Sequence, residues 1–334
     1  MAPDMQYTTL GRTGLKVSVA AMGCGGSSCL GLGAGRSVAQ CAGIIHQAVD
    51  LGVNLIDTAR SYGTEPVVGA ALKTLARDSV VITTKHKVVE GKTRLSAAQV
   101  IAGLDESLKT LGTGCVDIFF LHTVLPQDYG YAVQEIVPAL LREKAKGKFR
   151  FLGITEMPPK DPHHDTLRQA LAGGEDCWDM MMFAFHMLGQ NARRVVFPQT
   201  RERNIGTTVM FAVRSLFSTP GRLQADIRTL AEAGKLPAWL ADQEQPLGFL
   251  LNERHEGGAR SVIEAAYRYA RHEPGTDVVL FGTGNPDHVA PNIAAILQPP
   301  LPPEAVQKIA ELFGHLEGVG LDEPSRSPAA ARAV

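Results

Sequence analysis

Short apolar runs alternate with helix-forming stretches from one end of the chain to the other, and this alternation limits the possible folds more than any other feature. Eight runs are too short for helices and too apolar for the surface: Val19–Met22, Asn54–Ile56, Val80–Thr84, Asp117–Leu121, Phe151–Ile154, Met180–Phe183, Thr207–Phe211 and Val278–Phe281. The intervening segments carry helix signals. Ser37 can cap a helix running to Asp50, and Ser96 one over Ala97–Leu111. Further helices are predicted over Glu65–Ala76, Val133–Ala145, Asp165–Leu171, Ala192–Arg203, Ala259–Arg271 and Asp287–Leu297. Strands separated by helices predict a parallel sheet, and eight such units predict an α/β fold, the closed (β/α)8 TIM barrel.

Two additions decorate the barrel. Tyr7–Leu10 and Leu15–Val17 flank Gly11 and Gly14 and read as an N-terminal β-hairpin. Residues 214–258 interrupt the alternation and read as an extended loop over the C-terminal mouth, because loops of that length tend to be functional. Residues 1–321 are expected to form one barrel domain, and residues 322–334, rich in Pro, Ala, Ser and Arg, a disordered tail.

Composition narrows the partners. A net charge of −1 with 20% charged residues gives no reason to expect nucleic acid or a membrane surface, and leaves a small molecule as the expected partner. The five cysteines are scattered without a Cys-x-x-Cys, so neither a disulfide framework nor a metal site is suggested. The polar start and the lack of any apolar run near ~18 residues make the cytoplasm the expected location. The oligomeric state is not legible.

Three of the strands end on a titratable side chain: Asp57, Lys85 and His122. Tyr62 lies on the loop after Asp57. Active sites of such barrels form where the strands end, so these four can converge. A phenol is a poor acid near neutral pH, and a neighbouring ammonium lowers its pKa. Lys85 can supply that charge, Asp57 can hold Lys85 charged, and a neutral His122 can donate an N–H to a carbonyl oxygen. The set suits proton donation to an oxygen, with hydride coming from a bound cofactor because no side chain delivers it. The Gly23–Gly35 stretch has no Gly-x-Gly-x-x-Gly, so a Rossmann site is excluded.

Asn54-Leu-Ile-Asp57-Thr-Ala…Tyr62-Gly63, Thr84-Lys85 and Leu121-His122 together resemble the aldo-keto reductase superfamily, from the hairpin Leu10–Val17 to beyond Asn292. The resemblance implies a barrel that reduces aldehydes or ketones with NADPH, NADH being possible, without metal. Tyr62 would be the acid, Lys85 and Asp57 its tuners, and His122 the carbonyl orienter. On the cofactor side it implies backbone approach at Gly25 and Gly26. Thr155, Glu156 and Met182 would stand where the family carries Ser, Asn and Gln to bond the nicotinamide carboxamide. Phe211 would stack on the nicotinamide and Arg214 would meet the pyrophosphate. Gly282, Thr283, Gly284, Asn285, His288 and Asn292 match the segment that holds the adenosine phosphate. Gly282 and His288 replace a Lys and an Arg common in the family, which predicts weaker discrimination against NADH.

Three activities fit: a carbonyl reductase, the same chemistry reversed as a sugar or alcohol dehydrogenase, and a dinucleotide-binding sensor without catalysis. A Schiff-base lyase using Lys85 would not need the Gly282–Asn292 segment.

Overall fold

A computed structural model describes residues 4–174, 176–251 and 257–322. The first two strands, β1 (Tyr7–Thr9) and β2 (Lys16–Ser18), pair antiparallel with Tyr7 opposite Ser18. Then come β3 (Ala20–Gly23), β4 (Leu55–Asp57), β5 (Val81–Lys87), the two-residue strands β6 (Val89–Glu90) and β7 (Thr93–Arg94), β8 (Val116–His122), β9 (Phe149–Thr155), β10 (Met180–Ala184), β11 (Gly206–Met210) and β12 (Val278–Phe281). Strands β3, β4, β5, β8, β9, β10, β11 and β12 follow one another around a closed barrel, and β12 pairs with β3 to shut it. This is the eight-stranded (β/α)8 barrel, with every neighbouring barrel pair parallel.

The strand side chains divide by the two-residue repeat of extended chain. Ala21, Leu55, Val81, Ile118, Phe120, Met180, Met182 and Val278 form the inner cluster, joined by Leu10, Leu15 and Val17 of the hairpin. The hairpin therefore plugs one end of the barrel. Gly11 makes the plug possible: a Cβ there would lie 2.2 Å from the Gly206 amide nitrogen, and its φ is +46°. The other side chains face the helices in a continuous outer core that includes Val19, Phe119, Met181, Phe183 and Leu316. Both serine caps form as reciprocal boxes, Ser37 with Gln40 and Ser96 with Gln99.

The structure differs from the sequence expectations where proline or an amphipathic cover decides. Ala192–Arg203 is two helices, Ala192–Val195 and Phe197–Glu202, because Pro198 cannot continue the hydrogen-bond ladder. The helix expected at Val133 begins at Pro126 and widens over Ala132–Ile136 into a π-turn just before Pro138. Residues 214–258 are not a bare loop: Ser215–Ser218, Arg222–Glu232 and Ala238–Ala241 are helical. A further helix, Pro303–Phe313, was not anticipated. Most of the expected tail, 323–334, lies outside the described residues. Its first residue, Asp322, is not loose, since its carboxylate accepts from Ser215 Oγ at 3.0 Å and pairs with Arg222 at 3.3 Å.

Candidate active site

Alternation places the reactive groups. Within β5, residues 81, 83 and 85 share the inward face, which turns Thr83 and Lys85 toward β4. Asp57 ends β4 directly beside Thr83. Its Oδ1 accepts from Lys85 Nζ at 2.6 Å and from Thr83 Oγ1 at 2.5 Å. Lys85 Nζ also donates to the Thr58 carbonyl at 2.9 Å. Lys85 is fully buried, Asp57 is 2% exposed and His122, ending β8, is 6% exposed. Tyr62 closes the short turn Arg60–Tyr62, which stops at Gly63 with φ +74°. Its ring centre lies 5.0 Å from Lys85 Nζ, and its hydroxyl lies 3.4 Å from His122 Nε2. The fold thus brings Asp57, Tyr62, Lys85 and His122 into one cluster at the strand ends.

The charges do not balance as the sequence suggests. Burial pushes the Tyr62 phenol up, Lys85 pulls it down, and the net direction is upward. The expected lowering fails because burial of the phenol outweighs the pull of the ammonium, which the Asp57 carboxylate also opposes. Burial would depress the Lys85 ammonium, but Asp57 and Tyr62 hold it above its ordinary range.

The cofactor-side expectations fare unevenly. Gly25 serves Tyr62: a Cβ there would sit 2.6 Å from Tyr62 Cε2, so its lack of side chain makes room for the phenol ring. Gly26 has φ +75° and faces open space. Thr155 Oγ1 already accepts from the Thr123 amide at 2.8 Å. Glu156 turns away from the mouth and is 1% exposed. Its Oε2 meets His164 Nδ1 at 2.7 Å and its Oε1 accepts from the Ala184 amide at 3.0 Å, so it is committed to tying β9 to β10. Met182 points into the barrel with the inner cluster.

Phe211 follows β11 with φ +69°, a strained value for a bulky residue, and the Arg214 guanidinium lies 4.1 Å above its ring. Arg214 donates to the Asp322 backbone carbonyl, an engagement the sequence did not foreshadow. Burial pushes its pKa down, and Asp322 opposes that. Its Nε is buried without a hydrogen-bond partner among the described residues. The ring and the guanidinium are the groups of this loop that could hold the flat and the anionic parts of a dinucleotide.

At the last strand the backbone loops interlock. A Cβ on Gly282 would lie 3.1 Å from the Gly23 carbonyl, and one on Gly284 would lie 2.8 Å from Gly31 Cα. Thr283 Oγ1 accepts from the Asn285 amide at 3.0 Å, and Asn285 Oδ1 accepts from the Asp287 amide at 3.1 Å. His288 is exposed and precedes the helix Val289–Ile296, on which Asn292 is half-buried.

Four residues around this cluster escaped the sequence reading. Thr83 was accessible through strand alternation with Lys85. Cys24, fully buried, donates its amide to the Asp57 carbonyl at 2.8 Å, and burial and then Asp57 push its thiol well up. Glu65, 4% exposed, accepts from Thr84 Oγ1 at 2.6 Å. Ser61 lies 3.3 Å from His122 Nδ1, and only its adjacency to Tyr62 marks it in the sequence. Tyr129 accepts from Trp178 Nε1 at 3.2 Å within the core. Trp239 is exposed, with Lys308 over its ring.

The aldo/keto reductase family model matches residues 21–313. The chain belongs to the aldo/keto reductase family. Members of this family are NAD(P)-dependent oxidoreductases. The chain is 34% identical over 159 residues to L-galactose dehydrogenase of Arabidopsis thaliana, a match covering 46% of this chain and 49% of that protein. The chain thus spans about half the length of that relative. It is 27% identical to a putative voltage-gated potassium channel subunit beta of Schizosaccharomyces pombe, over 93% of this chain and 94% of that one. Among solved structures, the holo form of an aldo-keto reductase from Bacillus halodurans superposes with a TM-score of 0.69 at 22% identity, covering 97% and 98% of the two chains. An aldo-keto reductase from Klebsiella pneumoniae in complex with NADPH superposes with a TM-score of 0.66 at 21% identity, covering 92% and 95%. At these identities the structures speak for the fold. No group of three or more metal-ligating side chains occurs among the described residues, and no helix there is long and apolar enough to cross a membrane.

Proposed function

We propose that this aldo/keto reductase reduces the carbonyl of an aldehyde or ketone to an alcohol, with Tyr62 as the proton donor and NADPH as the cofactor. The observation that carries the reading is the contact of Lys85 Nζ with Asp57 at 2.6 Å beneath a phenol whose hydroxyl stands 3.4 Å from His122. The cofactor supplies hydride when bound. Phe211 and Arg214 would hold one part of it, and Gly282–Asn292 another. Tyr62 gives its proton to the carbonyl oxygen as the carbon is reduced, and His122 orients that oxygen through an imidazole N–H. Lys85, fixed by Asp57, steadies the phenolate left behind.

Tyr62→Phe decides the reading. Dinucleotide affinity should stay within a factor of about two, while single-turnover reduction should fall by roughly 10²–10⁴, the usual worth of a general acid. Near-normal reduction by the variant would show that another group is the acid.

The opposite direction, oxidation of a sugar or alcohol, has a specific observation in its favour, the likeness to L-galactose dehydrogenase over 159 residues. The same residues serve it, with the Tyr62 phenolate accepting the proton. A non-catalytic sensor, suggested by the channel-subunit relative, is disfavoured because all four groups stand in contact. A panel of aldehydes, ketones and sugars assayed by nicotinamide absorbance separates the three readings. Gly282 and the exposed His288 offer no permanent cation to a 2′-phosphate. Fluorescence titration should therefore show a preference for NADPH over NADH below about a thousandfold, or about 4 kcal/mol.

A further inference from the structure

The His122 imidazole sits between two hydroxyls that are neighbours in the chain. Ser61 Oγ is 3.3 Å from Nδ1, and Tyr62 Oη is 3.4 Å from Nε2. The Tyr62 ring meets the imidazole edge-on, with 5.3 Å between centres and 81° between planes. The arrangement follows from the turn Arg60–Tyr62, which offers both side chains to the end of β8.

A neutral imidazole carries one N–H, and the group bonded to one nitrogen decides which nitrogen holds it. A carbonyl oxygen only accepts, so His122 can orient one through Nε2 only if Nε2 carries the hydrogen and Nδ1 is an acceptor. A carboxylate or a backbone carbonyl at Nδ1 would enforce the opposite tautomer, because neither can donate. A hydroxyl can.

We propose that Ser61 is a positioning residue for His122: its hydroxyl donates to Nδ1 and so holds the Nε2–H tautomer toward the space beside the Tyr62 hydroxyl, where a substrate oxygen is received. This rests on the carbonyl-reduction reading for its purpose, but not for its geometry. In this arrangement Ser61 acts through the imidazole.

The test is nitrogen NMR of 15N-histidine protein without substrate, with His122 assigned among the ten histidines by its loss in His122→Gln. The native protein should show His122 Nδ1 in the unprotonated, pyridine-like range and Nε2 in the protonated, pyrrole-like range. Ser61→Ala should move both resonances toward the average of the two tautomers, and Ser61→Thr, which keeps the hydroxyl, should restore them. In parallel, kcat for carbonyl reduction should fall about tenfold in Ser61→Ala, less than for loss of the acid itself, with dinucleotide affinity unchanged and with recovery in Ser61→Thr. A native Nδ1–H tautomer, or resonances unmoved by Ser61→Ala in a folded variant, would overturn the assignment. A shift in the resonances from a protein that reduces no carbonyl in the panel would support the Ser61 contact while sinking the reductase reading, so the two failures can be told apart.

Discussion

Lys85 is a fully buried ammonium whose neutralising partner, Asp57, is almost as deeply buried. Removing one member of such a pair leaves an uncompensated charge in a dry place, which costs about 3–5 kcal/mol, whereas replacing both by apolar groups can be nearly neutral. Lys85→Met should therefore lower unfolding free energy by about 3 kcal/mol, and adding Asp57→Asn should recover most of it without recovering turnover. Denaturant titration of the single and double variants checks this, and an equal loss in both would refute it. In the proposed reaction the raised Tyr62 phenol sets the pH response. Reduction needs the protonated phenol, which persists through neutral pH and is lost only above the ordinary tyrosine range near ~10. Oxidation needs the phenolate, so its rate should climb with pH over the same interval. A reduction rate already falling near pH 7, measured in single turnovers, would contradict the upward direction. Gly25 offers a steric test of the same phenol, because Gly25→Ala would drive a methyl into the Tyr62 ring. Turnover should drop at least about tenfold while the fold stays intact by circular dichroism.

Among the elements, the ends of three strands, β4, β5 and β8, carry the site, whereas the end of β9 ties strands together. The ends of β4 and β5 were legible because a carboxylate and an ammonium finish apolar runs of period two, and the two-residue repeat turns Thr83 and Lys85 to the same side. The end of β9 was not legible. Glu156 stands at a position where a neutral amide would meet a cofactor, yet the distant residue His164 and the Ala184 amide claim both of its oxygens. No local pattern shows a partner supplied by the fold. The helices within 214–258 were hidden for a similar reason. Arg222–Glu232 fully buries only Ile227, so its apolar signal is weak. Arg214 reads as a free cation in the sequence because the Asp322 carbonyl that binds it lies on the C-terminal segment. Glu156 supplies the element-scale prediction. Burial raises its carboxyl, and the same pairing raises His164 despite that residue's own burial. Glu156→Ala should cost about 3 kcal/mol by stranding the His164 imidazole and the Ala184 amide, while Glu156→Gln, which keeps an acceptor for Ala184, should cost less. Equal losses on denaturant titration would show that the Ala184 bond contributes nothing.

Two groups at opposite ends of the barrel, the buried His186 and the half-buried Asp277, respond to acid in opposite directions. His186 follows β10 at the mouth, 1% exposed, with its ring edge-on to Phe217 at 5.8 Å. Burial, and then the Arg214 charge, push its pKa down to about 4. The unfolded chain takes up that proton near ~6.5 and the folded one does not, so the stability from neutral His186 is present above ~6.5 and is lost as pH falls toward 4. Asp277 stands at the start of β12, where its Oδ2 accepts from the Thr207 amide at 2.9 Å. Burial pushes its carboxyl up to about 6, against the pull of Thr207 and Arg271. Here the folded state holds a proton that the unfolded state has released, so its contribution is present at low pH and is lost as pH rises through 6. Between about pH 6 and pH 4 the two slopes oppose each other and flatten the stability curve. Asp277→Asn keeps an acceptor for Thr207 but removes the offset, so it should lose stability more steeply than the native protein as pH falls from 7 to 4.5. His186→Gln should lose less over the same range. Denaturation midpoints at four pH values across that window decide it, and three parallel curves would mean that neither group is held away from its ordinary pKa.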